Sequence, residues 1–582
     1  MNGKLLGALL LAISMMASTL SMAASARTVV ICSGPDLHTN LPKIDMSAWK
    51  YNKADDVYYQ TGLTYCENPA DKKYETMGFY VPGAYFDGTR NKNGTYTCQK
   101  NTGRTVAGYN ALTAPVILPV NTPGYAAMAA PTGYPARFGY GSVSDYTKAG
   151  MVVIVPGARG RDHGAPAGVV DFKAAIRYAR YNADLLPGDV EHRLFTEGMS
   201  GGGAQSALLG ATGDDKLYEP YLKAIGAVDG PSDAVTGSMC WCPVTNLDLA
   251  DEAYEWNMGM SRTGLTAEQQ RLSNGMAEAF GPYVNRLHLH DENGAPLFLE
   301  NKGDGIYQSG PYYDYILRVA EQSLENFLQD TTFPYTVPNA MQNMVDNIPS
   351  GFSLPTELLR SASFEDLDKI TRNGAKSGVT LKGTYATKED YIAALNANGK
   401  WVSYDAATGR VKFTSLADFS HYQKPATKNL GAFDQLDRGQ GENTLFGFGD
   451  GTAAHFDPVL GTLVKGTEYE SAFAANLARK DALGTDMATR VNMYNPLYYL
   501  CRGYDGFGTS KPAKFWRIRS GITQGDTALT TEANLALCAK TCAKGQTVDF
   551  ATVWGQGHTM AERSGGNVEN FIAWVNQCTA TL

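Results

Sequence analysis

The sequence predicts an α/β fold with a largely parallel central sheet, and three observations carry this prediction. Short, fully apolar runs at residues 115–120 and 151–155 are typical of strands that are buried on both faces. After the second run, apolar residues recur at helical spacing from residue 169 to residue 179. The alternation of strand and helix then returns after residue 505. This order indicates parallel strands joined by right-handed crossovers.

The two ends of the chain complete the predicted sheet. Residues 27–100 are rich in Tyr, Asn, Gly and Asp and contain short strand patterns, so we expect an antiparallel edge there. The remaining elements of the prediction are strands at 193–196, 224–229, 515–519 and 547–552, and helices at 530–543 and 567–577.

Residues 231–505 lack this alternation and predict a separate region. Thr266 with Gln269, and Thr387 with Asp390, form capping boxes that indicate helix starts, and residues 401–413 predict a hairpin. We therefore expect a large inserted domain at 231–505, interpreted as a lid. The main α/β domain is then formed by residues 27–230 and 506–582.

Residues 1–26 have the pattern of a signal peptide. Lys4 precedes an apolar stretch at 5–16, and an A-x-A cleavage site ends at Ala26. An apolar run of about 12 residues is too short to span a bilayer comfortably. The sequence thus predicts export, to the periplasm or beyond, after cleavage near Ala26.

The net charge of the chain argues against some classes of binding partner. The formal net charge is −8, and loss of Lys4 with the signal peptide takes it from −8 to −9. An acidic chain without a basic cluster argues against nucleic acid and anionic membranes as partners. The expected partner is a small-molecule substrate, and the oligomeric state stays open.

Nine cysteines lie after the predicted signal peptide. In an oxidising compartment most of them are expected to form disulfides, with one left over. Two closely spaced pairs, Cys240 with Cys242 and Cys538 with Cys542, lack a histidine at zinc spacing, so a structural role is favoured. No metal and no cofactor is predicted.

The stretch 198–202 (GMSGG) matches the G-x-S-x-G nucleophile elbow. In this turn a serine sits between a strand and a helix, and the positions two residues before and after it have no room for a Cβ atom. Gly198 and Gly202 occupy those positions, an extended run precedes Ser200, and helix formers follow it. Ser200 is therefore the predicted nucleophile.

A serine nucleophile requires a base and an acid that orients the base. Among eight histidines, only His558 follows the last predicted strand in a glycine-rich turn, and His163 is the rival. Serine first and histidine last is the chain order of α/β-hydrolases, so this fold, with the inserted lid, is predicted. The backbone N–H groups of Gly201 and Thr122 are the candidates for the oxyanion hole.

Longer motifs resemble the bacterial tannases of subtype B and the tannase/feruloyl esterase group around them. The motifs are PGARG at 156–160, GAPA at 164–167, DFKAAIRY at 171–178, GMSGGGAQSALLG at 198–210, YEPYLKA at 218–224, CPVTNL at 242–247, ENTLFG at 442–447, WRIRSGITQGD at 516–526 and WGQGH at 554–558. The resemblance implies a Ser-His-Asp esterase that releases gallic acid from galloyl esters without a cofactor.

The resemblance also implies a binding site for the three gallate hydroxyls. By motif, the lysine, glutamate and aspartate of the family look like Lys428, Glu442 and Asp526. A phenol-rich ring needs acceptors and a cation at fixed positions, because an unpaired buried donor is costly. The alternative is that Lys428 and Glu442 form a surface ion pair.

One position departs from the family pattern. Counted from Gly521, the position of the family's triad aspartate holds Gln524, and the substrate aspartate is Asp526. A glutamine can orient an imidazole but cannot stabilise imidazolium as a carboxylate does. The preferred hypothesis makes Asp526 the triad acid; otherwise the acid comes from elsewhere and Asp526 holds substrate.

Four alternatives to a galloyl esterase remain. A feruloyl esterase, another hydroxycinnamoyl or hydroxybenzoyl esterase, or an exported peptidase would share the fold and the triad. A non-catalytic polyphenol-binding protein on a hydrolase scaffold is the fourth, and only Gln524 favours it.

Overall fold

A nine-stranded sheet forms the centre of the computed structural model, which describes residues 38–135, 140–303, 305–338, 381–543 and 545–582. The predicted signal peptide and Cys32 lie outside these residues. The strands, in chain order, are β1 (Lys50–Asn52), β2 (Val57–Thr64), β3 (Thr76–Pro82), β4 (Val116–Val120), β5 (Val152–Pro156), β6 (Leu194–Met199), β7 (Gly237–Trp241), β8 (Phe515–Gly521) and β9 (Thr547–Val553).

The spatial order of the strands is β1-β2-β3-β5-β4-β6-β7-β8-β9. The first three strands and the β3–β5 pair are antiparallel. All pairs from β5–β4 to β8–β9 are parallel. The predicted antiparallel edge and the predicted parallel sheet are both present. In a parallel sheet the carboxyl ends of the strands meet at one edge, and the loops there carry the residues discussed below.

Helices cover both faces of the sheet. The helices of the described residues are α1 (Val143–Lys148), α2 (Ala167–Tyr181), α3 (Gly201–Ala211), α4 (Glu219–Ala224), α5 (Ala250–Met258), α6 (Ala267–Arg286), α7 (Pro311–Asp330), α8 (Lys388–Leu395), α9 (Leu416–Gln423), α10 (Gly441–Leu445), α11 (Pro458–Leu463), α12 (Glu470–Ala478), α13 (Met487–Met493), α14 (Pro496–Leu500), α15 (Leu529–Thr541) and α16 (Asn567–Thr579). Helices α2 and α3 lie on one face of the sheet and α16 on the other. Two-stranded ribbons form at Phe86–Arg90 with Tyr96–Lys100, Thr105–Val106 with Tyr109–Asn110, Leu289–His290 with Pro296–Leu297, Tyr335–Thr336 with Thr384–Tyr385, and Val402–Asp405 with Arg410–Phe413.

Alternate residues of a sheet strand pack into different hydrophobic clusters, one on each face of the sheet. On β4, Ile117 packs in one cluster with Phe571 and Trp574 of α16, whereas Val116 and Leu118 pack in the cluster that holds α2 and α3. Successive side chains of a strand point to opposite faces, so a run that is apolar at every position must be covered on both. This is the reason why the short apolar runs predicted the parallel strands.

The predicted strand at 224–229 is wrong. Helix α4 ends at Ala224, and Gly226 has a φ of +66°, which ends regular structure at this point. The next strand of the sheet is β7, at Gly237–Trp241. This strand of the central sheet lies within residues 231–505, and the inserted domain predicted there stays a proposal.

Several local predictions within residues 231–505 hold. Both capping boxes form, with Thr266 and Thr387 accepting from the backbone N–H three residues on, and the hairpin pairs Val402–Asp405 with Arg410–Phe413. Among the described residues, no helix is long and apolar enough to cross a membrane.

The expected disulfides are not found in the described part of the chain. The eight cysteines that it contains are all free, and most are buried. Burial raises the pKa of several of these thiols, for example that of Cys240 to about 12. A buried, protonated thiol packs as a small apolar group, and this accounts for these cysteines without pairing.

Candidate active site

Ser200 lies at the sharp turn between β6, which ends at Met199, and α3, which begins at Gly201. Its φ of 61° and ψ of −125° are unusual for a residue with a side chain. Two backbone hydrogen bonds hold the turn, from the Ser200 N–H to the Trp241 carbonyl and from the Val244 N–H to the Ser200 carbonyl. The turn therefore presents the hydroxyl at the carboxyl edge of the sheet.

The flanking glycines are required by close backbone contacts. A Cβ atom on Gly198 would lie 2.1 Å from the Gly202 carbonyl oxygen, and one on Gly202 would lie 2.1 Å from the Val120 carbonyl oxygen. Both partners are backbone atoms, which cannot rotate away as a flexible side chain can. The steric argument made from the sequence applies to both positions.

We expect Gly202→Ala to destabilise the fold, because the added methyl group overlaps the Val120 carbonyl. Overpacking of this kind costs about 2 kcal/mol or more of the free energy of unfolding, measurable by denaturant titration. Gly133→Ala is the matched control, since a Cβ atom there meets nothing within 4 Å. Equal stability of the two variants would contradict the steric account.

His558 lies in the turn after β9, and its Nε2 atom is 2.7 Å from the Ser200 Oγ. Its Nδ1 atom is 2.8 Å from the Gln524 Oε1 and 3.4 Å from the Asp526 Oδ2. Because the Gln524 oxygen is an acceptor, Nδ1 carries the proton and Nε2 accepts from the serine hydroxyl. The pair has the geometry of a serine and its general base.

Gln524 and Asp526 both come from the turn after β8, and both reach the imidazole. Gln524 is buried at 2% exposure, whereas the Asp526 side chain is 27% exposed. The shorter contact to Nδ1 belongs to Gln524, so the glutamine is the direct partner and Asp526 is a nearby charge. Burial raises the pKa of Asp526, but His558, Lys428 and Lys424 together hold it below the usual range.

The same charges act on the imidazole. Burial lowers the pKa of His558 below its usual range, Asp526 raises it, and Lys428 and Lys424 lower it. The net direction is downward. A base with a lowered pKa is neutral at neutral pH and ready to accept the serine proton.

A small cavity of about 170 Å³ opens beside Ser200. Its lining includes Ser200, Gly201, Gly124, Tyr125 and Arg161. It also includes Lys428, Gln440, Gly441, Glu442 and Asp526. All three residues predicted to bind substrate are thus brought to the serine from positions far apart in the chain.

Lys428 and Glu442 are held by different contacts. The Lys428 Nζ lies 4.1 Å from the centre of the Phe433 ring, and the Lys428 N–H donates to the Tyr254 hydroxyl. Glu442 is 7% exposed and belongs to α10. Within the described part of the chain no ion pair joins Lys428 to Glu442, so the alternative of a surface ion pair is not supported.

The two predicted oxyanion donors differ in position. Gly201 lines the cavity, whereas Thr122 is buried and its hydroxyl donates to Gln205. From the loop after β4, Gly124 and Tyr125 are the residues that reach the cavity. The loop is the expected one, and the Tyr125 N–H within it already donates to the Thr122 carbonyl.

The rival histidine lies elsewhere. His163 is 3.1 Å from an Asp162 oxygen and 3.6 Å from an Asp71 oxygen, and it does not line the cavity. Sequence reasoning missed Arg161, Tyr125 and Gln440 as lining residues. Arg161 follows the PGARG motif directly, which was the available signal.

The described residues contain no group of three or more His, Cys, Asp or Glu side chains that could hold a metal ion.

No family model matches the chain, and no curated protein matches it significantly in sequence. Several solved structures match the chain. A tannase of Fusobacterium nucleatum is 27% identical with a TM-score of 0.63, over 90% of this chain and 95% of its own. Tannin acyl hydrolases in complex with 3,4-dihydroxybenzoate and with ethyl gallate are each 26% identical, with TM-scores of 0.62 and 0.61, over 90% of this chain and 94% of theirs.

The resemblance to the bacterial tannases is confirmed. These neighbours indicate a carboxylic ester hydrolase with the α/β-hydrolase fold. In this chain the Ser200 turn follows β6, an interior strand of the parallel part of the sheet.

Proposed function

We propose that the chain is a serine esterase that hydrolyses galloyl esters and releases gallic acid through an acyl-serine intermediate. The observation that carries the proposal is the 2.7 Å contact between the Ser200 Oγ and the His558 Nε2 at the edge of a cavity that also holds Lys428, Glu442 and Asp526. Ligands of the tannin acyl hydrolase neighbours, ethyl gallate and 3,4-dihydroxybenzoate, have the ring chemistry that this cavity suits.

Acylation begins at the serine. The Ser200 Oγ attacks the ester carbonyl while His558 Nε2 accepts its proton, and the carbonyl oxygen gains negative charge. The Gly201 N–H, together with an N–H of the 122–125 loop, donates to this oxygen. His558 then gives its proton to the leaving alcohol, which leaves the acyl group on Ser200.

Deacylation repeats these steps with water. His558 Nε2 takes a proton from the water as its oxygen adds to the acyl carbonyl. The intermediate then collapses by breaking the bond between the Ser200 Oγ and the acyl carbon, His558 returns its proton to the Ser200 Oγ, and the carboxylic acid is released. In both steps an imidazolium forms beside Gln524 and Asp526. In this proposal Asp526 stabilises the imidazolium through space, at 3.4 Å from Nδ1, and Gln524 orients the ring.

The ring-binding side of the proposal uses groups that hydroxyls require. Glu442 and Asp526 accept hydrogen bonds from phenolic hydroxyls, and the Lys428 ammonium donates to them. A site built to pair hydroxyls rejects a ring that lacks them, because its own polar groups then lose their partners. Asp526 therefore has two functions here, one toward the ring and one toward His558.

We also propose that residues between Trp241 and residue 505 form the inserted lid. Lys428, Gln440 and Glu442 come from this stretch, whereas Ser200 and His558 come from the sheet loops. The stretch therefore supplies the side of the cavity that faces the ring of the substrate.

The test compares methyl gallate, methyl ferulate and methyl benzoate as substrates of the purified enzyme. We expect kcat/KM to be highest for methyl gallate, and Glu442→Gln to lower it about 10- to 100-fold while changing the methyl benzoate value little. Glu389→Gln, at an exposed position on α8, is the matched control.

The remaining outcomes separate the alternatives. A preference for methyl ferulate would keep the serine chemistry and reject the galloyl pocket. Saturable binding without turnover of any ester would favour the polyphenol-binding protein.

A further inference from the structure

A second buried carboxylate lies behind the glutamine that contacts His558. The Glu532 Oε1 accepts from the Gln524 Nε2 at 2.6 Å, from the Thr527 Oγ1 at 2.7 Å and from the Ser520 Oγ at 3.1 Å. Glu532 is 1% exposed and lies in the first turn of α15. Three donors converge on one oxygen, so the carboxylate holds the centre of this network.

This carboxylate determines which way the Gln524 amide faces. An ionised carboxylate only accepts hydrogen bonds, so it selects the NH₂ side of the amide. The Gln524 oxygen is then turned toward His558 Nδ1, at 2.8 Å. A flipped amide would place its oxygen against the carboxylate and its NH₂ against the Nδ1–H group.

The amide orientation in turn selects the imidazole tautomer. With the Gln524 oxygen at Nδ1, the ring keeps its proton on Nδ1, and Nε2 is free to accept from the Ser200 hydroxyl, 2.7 Å away. The opposite tautomer would carry a proton on Nε2 and could not act as the base. Replacement of a triad aspartate by asparagine fails in other serine hydrolases for this reason.

We propose that Glu532 is a positioning residue that acts on His558 through Gln524, so that Ser200, His558, Gln524 and Glu532 form one hydrogen-bonded chain. This inference rests on the esterase mechanism proposed above. In this chain the neutral amide of Gln524 contacts the imidazole, and the carboxylate of Glu532 contacts and orients the amide.

Lys424 supports the same network from the other side. Its Nζ donates to the backbone carbonyl of Gln524, and it is buried. The pKa of Glu532 lies above its usual range, because burial raises it by more than Lys424, Thr527 and Ser520 lower it. Burial lowers the pKa of Lys424 to about 8 against the attraction of Glu532, Cys242 and Asp526.

The charges that face His558 set the sign of the expected pH effect. Asp526 raises the pKa of His558, whereas Lys428 and Lys424 lower it. Glu532 adds a negative charge that is linked to the ring through Gln524. Loss of the Glu532 charge therefore lowers the pKa of His558. The reaction needs neutral His558, so activity falls when acidification protonates the ring. In the variant this fall is expected at a lower pH than in the wild type.

The test uses Glu532→Gln and the exchange variant Gln524→Glu/Glu532→Gln, which swaps amide and carboxylate without changing side-chain length. The readout is the pH dependence of Ser200 labelling by an alkyl fluorophosphonate, in which the serine oxygen displaces fluoride and His558 takes the proton. This readout needs no galloyl substrate. Glu321→Gln is the control, a buried glutamate on α7 that pairs with Arg318 and the Phe413 N–H.

We expect Glu532→Gln to slow labelling by about 10- to 10³-fold. We also expect the acid limb, the low-pH side of the plot of labelling rate against pH, to move down by about 0.5 pH unit. The exchange variant should recover most of the rate and move the acid limb above that of the wild type, since a carboxylate then contacts Nδ1 directly. Glu321→Gln should leave both quantities unchanged.

Other outcomes overturn the inference. Wild-type labelling with an unchanged rate and acid limb in Glu532→Gln would remove the positioning role while the esterase mechanism stands. Absence of Ser200 labelling in the wild type would reject the mechanism itself. If Glu532→Gln does not fold, the exchange variant decides, and a wild-type acid limb there would reject the proposal.

Discussion

Replacement of Ser200 by alanine is expected to lower kcat for methyl gallate about 10⁴- to 10⁶-fold, the loss seen when a serine hydrolase loses its nucleophile. The hydroxyl is the only group that the proposed mechanism brings to the ester carbonyl, and its contact to His558 is 2.7 Å. The measurement is a steady-state assay of gallate release, with ligand binding followed separately by calorimetry. Binding should persist, because the Lys428 and Glu442 side of the cavity is unchanged.

The control for this variant is Ser206→Ala. Ser206 lies on the same helix α3, is fully buried, and hydrogen-bonds to Thr196 and Ser238. We expect this variant to keep near-wild-type turnover. Comparable turnover by Ser200→Ala would show that another group attacks the ester.

His558→Ala is expected to be almost as damaging, and the double variant Ser200→Ala/His558→Ala no worse than either single variant. Residues that act as one unit in a triad are strongly non-additive, with single losses of about 10⁶-fold in kcat. The measurement is kcat for the three variants, with the fold verified by far-UV circular dichroism. Additive losses would indicate that the two side chains act independently.

The comparison of two histidines sharpens this second prediction. From the sequence, His163 is the second candidate for the general base. In the structure its imidazole contacts Asp162 and Asp71, away from the cavity, and His163→Ala removes it. We expect it to retain activity. Loss of turnover in His163→Ala with retention in His558→Ala would reverse the assignment.

Much of the sheet could be predicted from the sequence, because strands buried on both faces have a local signature. The exception is β7, whose sequence GSMCW is neither fully apolar nor alternating. Its buried polar residue, Ser238, is satisfied by a hydrogen bond to the carbonyl of Ser206 on α3. That partner lies 32 residues away, so no local pattern indicates the strand.

Ser200 and His558 could be predicted because steric and topological rules fix their positions. The partner of His558 could not be decided, since Gln524 and Asp526 are two residues apart in one turn and both reach Nδ1. The sequence shows which residues share that turn but not which side chain is nearer. Glu532 was missed for a related reason: its role depends on an amide orientation, which has no sequence signal.

Residues from two distant stretches of the chain line the cavity, and this affects what substitutions in each stretch can change. Ser200, His558 and Gln524 are supported by the sheet loops, while Lys428 and Glu442 are supported by the region near α10. In the proposed mechanism, a substitution of Glu442 changes the pairing with the ring hydroxyls, whereas a substitution of Lys428 also raises the pKa of His558, because the Lys428 charge lowers it. The choice of ring and the reactivity of the serine are thus coupled through Lys428 and Asp526, and exchange of residues 425–445 is expected to change both.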